Sequence, residues 1–215
     1  MSPDALAAVR RLRILPLIVI DDPARAGQLG RALLDGGLPV AEVAFRTPAA
    51  LAALKAMVSE HPELLVGAGT VINQKQAREA HQAGAKFIVS PGFHVPVVDY
   101  CLANNIPLFP GTATPSEIGA ALERGISVVK FFPAEPLGGI EYLKAIAAPF
   151  TGAQFIPTGG ITAANLGSYL ALKQVVACGG SWMAPQAMIA AGEFDKIKAE
   201  VAKAVALASG AGKAA

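Results

Sequence analysis

The sequence predicts a single-domain (β/α)8 barrel over residues 1–215, and three observations predict it. Eight short apolar runs recur along the chain. Longer amphipathic stretches lie between them. At 215 residues and 53% hydrophobic content, the chain is long enough for one sizeable core and sits near the lower size limit of that fold.

The elements follow in order. The first dozen residues are charged and predict a short helix covering one end. The apolar runs are residues 14–20, 40–45, 64–69, 87–90, 107–109, 128–132, 155–157 and 175–178. Each is short and rich in β-branched or aromatic residues, as strands of a parallel sheet buried on both faces are. Residues 48–60 repeat Leu51, Leu54, Met57 and Val58 at helical spacing. Residues 73–83 open with Asn73 as N-cap and stop at Gly84. Thr114, Pro115 and Glu117 form a capping-box signature for a helix that ends near Gly125. Residues 162–170 and 193–208 complete the helical set. Pro91, Pro110 and Pro133 stop strands at the rim. The Ala/Gly/Lys tail after Ser209 is expected to fray.

An open doubly wound sheet is the rival fold. Its glycine-rich turn would follow the first strand, but Ile20 leads into Asp21-Asp22-Pro23, and the Gly67-x-Gly69 pair lacks a third glycine. Eighteen Lys+Arg against sixteen Asp+Glu leave +2, with no basic cluster for nucleic acid. No apolar run is long enough to span a bilayer, so no membrane partner is expected. Cys101 and Cys178 lie in apolar surroundings with no disulfide or metal spacing, and a reducing, cytoplasmic setting is expected. His61, His81 and His94 form no dense ligand set, so no metal site is expected.

Active sites of such barrels gather at the C-terminal strand ends. Lys130 interrupts the apolar Ser127-Val128-Val129-Lys130-Phe131-Phe132 run. Strand alternation puts Val128, Lys130 and Phe132 on one face. If that face is inward, burial disfavours the charged ammonium, and a neutral amine attacks a ketone to form an imine. A lysine paired with a carboxylate, or snorkelling to the rim, fits the strand equally. Glu42 shares its face with Val40, Ala44 and Arg46; it suits proton transfer beside such a lysine, or a structural ion pair. Arg46 at the strand end suits a bidentate grip on a carboxylate, or a rim salt bridge. Thr70 and Pro91 stand at the next two strand ends. Thr158-Gly159-Gly160 and Gly179-Gly180-Ser181 follow the last two strands, where backbone N–H groups commonly hold phosphate; tight turns alone are the other reading. An isomerase or synthase with Glu42 as base, and a non-catalytic ligand binder, stay open on these residues alone.

The ordered segments Glu42-Val43-Ala44-Phe45-Arg46-Thr47, Val66-Gly67-Ala68-Gly69-Thr70-Val71, Ser90-Pro91-Gly92, Lys130-Phe131-Phe132-Pro133-Ala134-Glu135, Pro157-Thr158-Gly159-Gly160-Ile161 and Gly179-Gly180-Ser181-Trp182 resemble the bacterial 2-keto-3-deoxy-6-phosphogluconate aldolases. Members of that family often also cleave 4-hydroxy-2-oxoglutarate. The resemblance implies Lys130 as Schiff-base lysine and Glu42 as proton-transfer base. It implies Arg46, Thr70, Pro91 and Phe132 around pyruvate, and Thr158, Gly159, Gly160, Gly180 and Ser181 towards a phosphate. It further implies a homotrimer, a phosphorylated 2-keto acid as substrate, and no metal or organic cofactor. Ala44, His94 and Thr112-Ala113-Thr114 depart from the family's usual residues near the rim, where the aldehyde portion is read. The Arg46-Thr47 pair favours the gluconate over the galactonate epimer.

Overall fold

A computed structural model describes residues 3–210. Residues 211–215, most of the tail expected to fray, lie outside the described residues; Ser209 and Gly210 still belong to the last helix. The order is α1 Pro3–Leu12, β1 Ile14–Ile18, α2 Ala26–Asp35, β2 Val40–Ala44, α3 Ala50–Glu60, β3 Leu65–Gly69, α4 Gln74–Gln82, β4 Ile88–Val89, α5 Val95–Ala103 and β5 Leu108–Phe109. It continues with β6 Gly111–Thr112, α6 Pro115–Glu123, β7 Val128–Phe131, α7 Gly139–Ala147, β8 Gln154–Pro157, α8 Leu166–Leu170, β9 Cys178–Gly180, α9 Gln186–Ala191 and α10 Phe194–Gly210.

All pairings are parallel, but they do not close into the expected eight-stranded barrel. One sheet has six strands in the order β5-β4-β3-β2-β1-β9, and a second has three in the order β6-β7-β8. The fold is therefore an α/β arrangement of a six-stranded half-barrel sheet and a three-stranded sheet. Two local causes account for this. Pro110 has no N–H to donate and divides what the sequence suggests as one strand into β5 and β6. On the other side, only the isolated bridges Phe155↔Val175 and Thr158↔Gly179 link the β8 region to the β9 region.

The core explains why these runs are strands. Every residue of β1 and β2 is buried, Glu42 included. Phe87, Phe109, Phe131 and Phe155 are fully buried, and the Phe87 and Phe109 rings pack at 5.8 Å. Helices cover the outer faces; α2 presents Leu29 and Leu33 inward, and α10 lies against α2 and α8. Asn73 caps α4 by accepting from Gln76 N at 2.9 Å, and Thr114 with Glu117 forms the full capping box on α6. The expected helix over 162–170 is shorter, beginning at Leu166. Among the described residues, no helix is long and apolar enough to cross a membrane.

Candidate active site

β7 fixes the direction of Lys130. Phe131 points outward and stacks on Tyr142 of α7 at 6.0 Å, so alternation turns Lys130 to the opposite face. Its side chain is only 3% exposed. Lys130 pairs across its sheet with Gly111 and Ile156, whereas Glu42 pairs with Leu17 and Gly67 in the other sheet. The two side chains nevertheless meet: Lys130 Nζ donates to Glu42 Oε1 at 3.4 Å, with Glu42 only 1% exposed. Strand parity left open whether their faces point inward; the structure buries both side chains and brings them together. Such a pair is costly to desolvate, and among the described residues the lysine amine has no hydrogen-bond partner besides Glu42, which suits a working amine more than a structural strut. Phe132 completes this corner, its ring centroid 5.3 Å from Nζ.

Glycines make the space. A Cβ at position 69 would lie 2.3 Å from Glu42 Oε1, and one at position 111 would lie 2.0 Å from the Pro91 carbonyl oxygen. Ser90 is fully buried, and its hydroxyl donates to the Gly92 carbonyl at 2.8 Å, pinning the turn that carries Pro91. A surface cavity of about 320 Å³ borders Pro91, Gly92 and His94. Arg46 and Thr70 are joined, Arg46 Nε donating to Thr70 Oγ1 at 3.0 Å. Thr70 has φ +56, a left-handed conformation that is unusual for a β-branched residue and marks a constrained position. Arg46 is exposed and is bonded to neither Glu42 nor Lys130 among the described residues.

The last strands bring the second group together. Thr158 is buried, and a Cβ at Gly179 would sit 2.3 Å from its Oγ1. Gly159 and Gly160 both have positive φ, +99 and +84, a conformation glycine adopts without steric cost. Gly180 lies beneath the Trp182 ring, and Ser181 is exposed beyond it. Thr112 was singled out in the sequence only as a departure. Its side chain is buried, and its hydroxyl donates to the Lys130 carbonyl at 3.4 Å. Glu135, Asn165 and Tyr169, none of them among the strand-end candidates, stand behind the Gly159-Gly160 turn. Glu135 lies within a motif that was recognised; the other two carried no local signal. A larger cavity of about 590 Å³ lies at the opposite ends of the strands, against Pro62, Lys86 and Pro107, and holds no buried acid–base pair.

The likeness to known proteins runs along the same residues. The family described as "Aldolase: KDPG and KHG aldolase" matches residues 6–200. A 2-dehydro-3-deoxy-phosphogluconate aldolase of Treponema pallidum is 49% identical over 192 residues, covering 89% of this chain and 91% of that one. A KHG/KDPG aldolase of Escherichia coli K12 is 45% identical over 184 residues, 86% of each chain. The crystal structure of KDPG aldolase from Legionella pneumophila, with pyruvate captured at low pH as a covalent carbinolamine intermediate, superposes with a TM-score of 0.90 at 38% identity, covering 94% of this chain and 98% of that one. With two-sheet architecture, buried amine–carboxylate pair and glycine turns all in the positions described, this chain belongs to the KDPG and KHG aldolase family.

Proposed function

We propose that this chain is a class I aldolase that cleaves 2-dehydro-3-deoxy-6-phosphogluconate to pyruvate and glyceraldehyde 3-phosphate, and 4-hydroxy-2-oxoglutarate to pyruvate and glyoxylate. The observation that carries it is the buried Lys130 Nζ within 3.4 Å of the Glu42 carboxylate. Lys130 adds to the C2 ketone, and loss of water leaves an imine. Glu42 takes the C4 hydroxyl proton; the C3–C4 bond breaks, the aldehyde leaves, and the electron pair passes into the enamine. The enamine recovers a proton at C3 from Glu42, and water hydrolyses the imine to pyruvate and free Lys130. Glu42 thus returns the proton it removed, as a general base that becomes a general acid.

Arg46 with Thr70 receives the substrate carboxylate, Pro91 and Phe132 wall the imine, and Thr158, Gly159, Gly160, Gly180 and Ser181 receive the phosphate. These residues stand at the C-terminal ends of parallel strands, where open α/β sheets also bind their ligands, which supports this assignment. A homotrimer is inferred from the family resemblance; light scattering should return three times the 21.9 kDa chain mass, and a monomer mass would remove it. A cytoplasmic setting is inferred from two buried free thiols.

Borohydride reduction in the presence of pyruvate, followed by peptide mapping, tests the chemistry. A stable three-carbon adduct on Lys130, absent from Lys130→Ala, is expected. A folded protein that forms no adduct in excess pyruvate would overturn the reading.

A further inference from the structure

The turn after β8 is held by its carbonyl groups. Glu135 N donates to the Gly159 carbonyl at 3.0 Å, and Asn165 Nδ2 donates to the Gly160 carbonyl at 3.0 Å. Asn165 is itself oriented, because its Oδ1 accepts from Thr162 N at 2.8 Å. A trans peptide unit directs its C=O and N–H to opposite sides. Fixing these two carbonyls therefore turns the Gly160 and Ile161 N–H groups the other way, away from Glu135 and Asn165. Successive N–H groups presented by a turn suit an anion.

Glu135 is held in its turn. Its stem lies against Gly160, where a Cβ would approach Glu135 Cγ to 2.5 Å. Its carboxylate accepts a hydrogen bond from the hydroxyl of Tyr169 on α8, a side chain with no exposure. Gly139 leaves room for the pair, since a Cβ there would lie 3.1 Å from Glu135 Oε1 and 3.3 Å from the Tyr169 hydroxyl.

We propose that Asn165, Glu135 and Tyr169 are positioning residues for phosphate recognition, setting the peptide planes of the Gly159–Ile161 turn without touching the anion. This rests on the aldolase reading above. The test compares kcat and KM for the 6-phosphate substrate and for 4-hydroxy-2-oxoglutarate, which carries no phosphate, in the wild type, Asn165→Ala and Tyr169→Phe. Removing one neutral hydrogen bond, as Asn165→Ala does, corresponds to about a fivefold to tenfold change, and losing the charge-assisted bond in Tyr169→Phe to about tenfold or more. KM for the phosphorylated substrate is expected to rise by these factors with kcat held, while KM for 4-hydroxy-2-oxoglutarate and pyruvate trapping by borohydride stay at wild-type values. Tyr169→Phe keeps the buried ring, so the test stands if Asn165→Ala fails to fold. Equal effects on both substrates, or no effect on either, would overturn the proposal while leaving the aldolase reading intact. A wild type that turns over neither substrate and traps no pyruvate would overturn the aldolase reading itself.

Discussion

Glu42 has room for its carboxylate because position 69 has no side chain. A Cβ there would meet Oε1 at 2.3 Å and Cγ at 2.6 Å, so Gly69→Ala must push the carboxylate from its place beside Lys130. Misplacing a catalytic group by about 1 Å costs roughly 10²-fold in rate; Gly69→Ala is expected to lower kcat by that order in steady-state kinetics. Glu42→Gln removes the base and should slow turnover by roughly 10²–10⁴-fold. A wild-type rate in either variant would take Glu42 out of the mechanism. Stability reads the same pair from the other side. Lys130→Ala leaves a carboxylate that is 1% exposed without its partner, which costs about 3–5 kcal/mol in buried pairs. Urea denaturation should show that loss, and Lys130→Met combined with Glu42→Leu should recover most of it; an equally unstable double variant would show that the cost lies in packing.

Between elements, the close approach of the β4–α5 turn to β6 sets where Pro91 stands. The Pro91 carbonyl lies 2.0 Å from where a Cβ of residue 111 would be, and the Gly92 nitrogen 2.6 Å. Both are backbone atoms, so Gly111→Ala moves the whole turn. The expected result is a lower yield of borohydride-trapped pyruvate and a stability loss of about 1–3 kcal/mol, as overpacking gives; unchanged trapping would show that Pro91 does not border the imine. This spacing is also where sequence reading stops. Lys130 and Glu42 were legible because strand alternation is local, and the caps at Asn73 and Thr114 because they are short patterns with a mechanism. The sequence marks Gly69 only as a strand end beside Thr70 and gives Gly111 no role, since what each makes room for lies on another segment. Pro110 signalled a stop, but resumption of the chain as β6 in a second sheet depends on partners 18 or more residues away. Helix α7 leaves no start signal because its N-cap is Gly138, with no side chain to cap it, and Asn165 and Tyr169 leave none because single hydrogen bonds to the Gly160 carbonyl and to Glu135 have no periodicity.

Across the whole molecule, the acidic groups buried without use in the chemistry set how the fold responds to alkali. Cys101 on α5 and Cys178 on β9 are both free and buried. Burial pushes each thiol up to about 12, with Arg13 pulling weakly against it at Cys178. Tyr169 is pushed up as well, first by burial and then by its bond to the Glu135 carboxylate and that group's charge. In the unfolded chain the thiols titrate near 8.5. Between that value and about 12 the native protein holds protons that the unfolded chain has released. Unfolding then releases protons, so stability is fully present below the unfolded value and is lost as pH rises through this window. The midpoint of urea denaturation should hold from pH 7 to 8 and fall steadily above pH 9. Cys101→Ala with Cys178→Ala should flatten that fall, leaving the part due to Tyr169, which Tyr169→Phe should remove. The thiolate is also the form that alkylates, so native thiols should resist iodoacetamide at pH 8 and react together only when the chain unfolds. Rapid alkylation of a folded protein, or an alkaline limb identical in the wild type and the cysteine-free variant, would show that these thiols do not carry the effect.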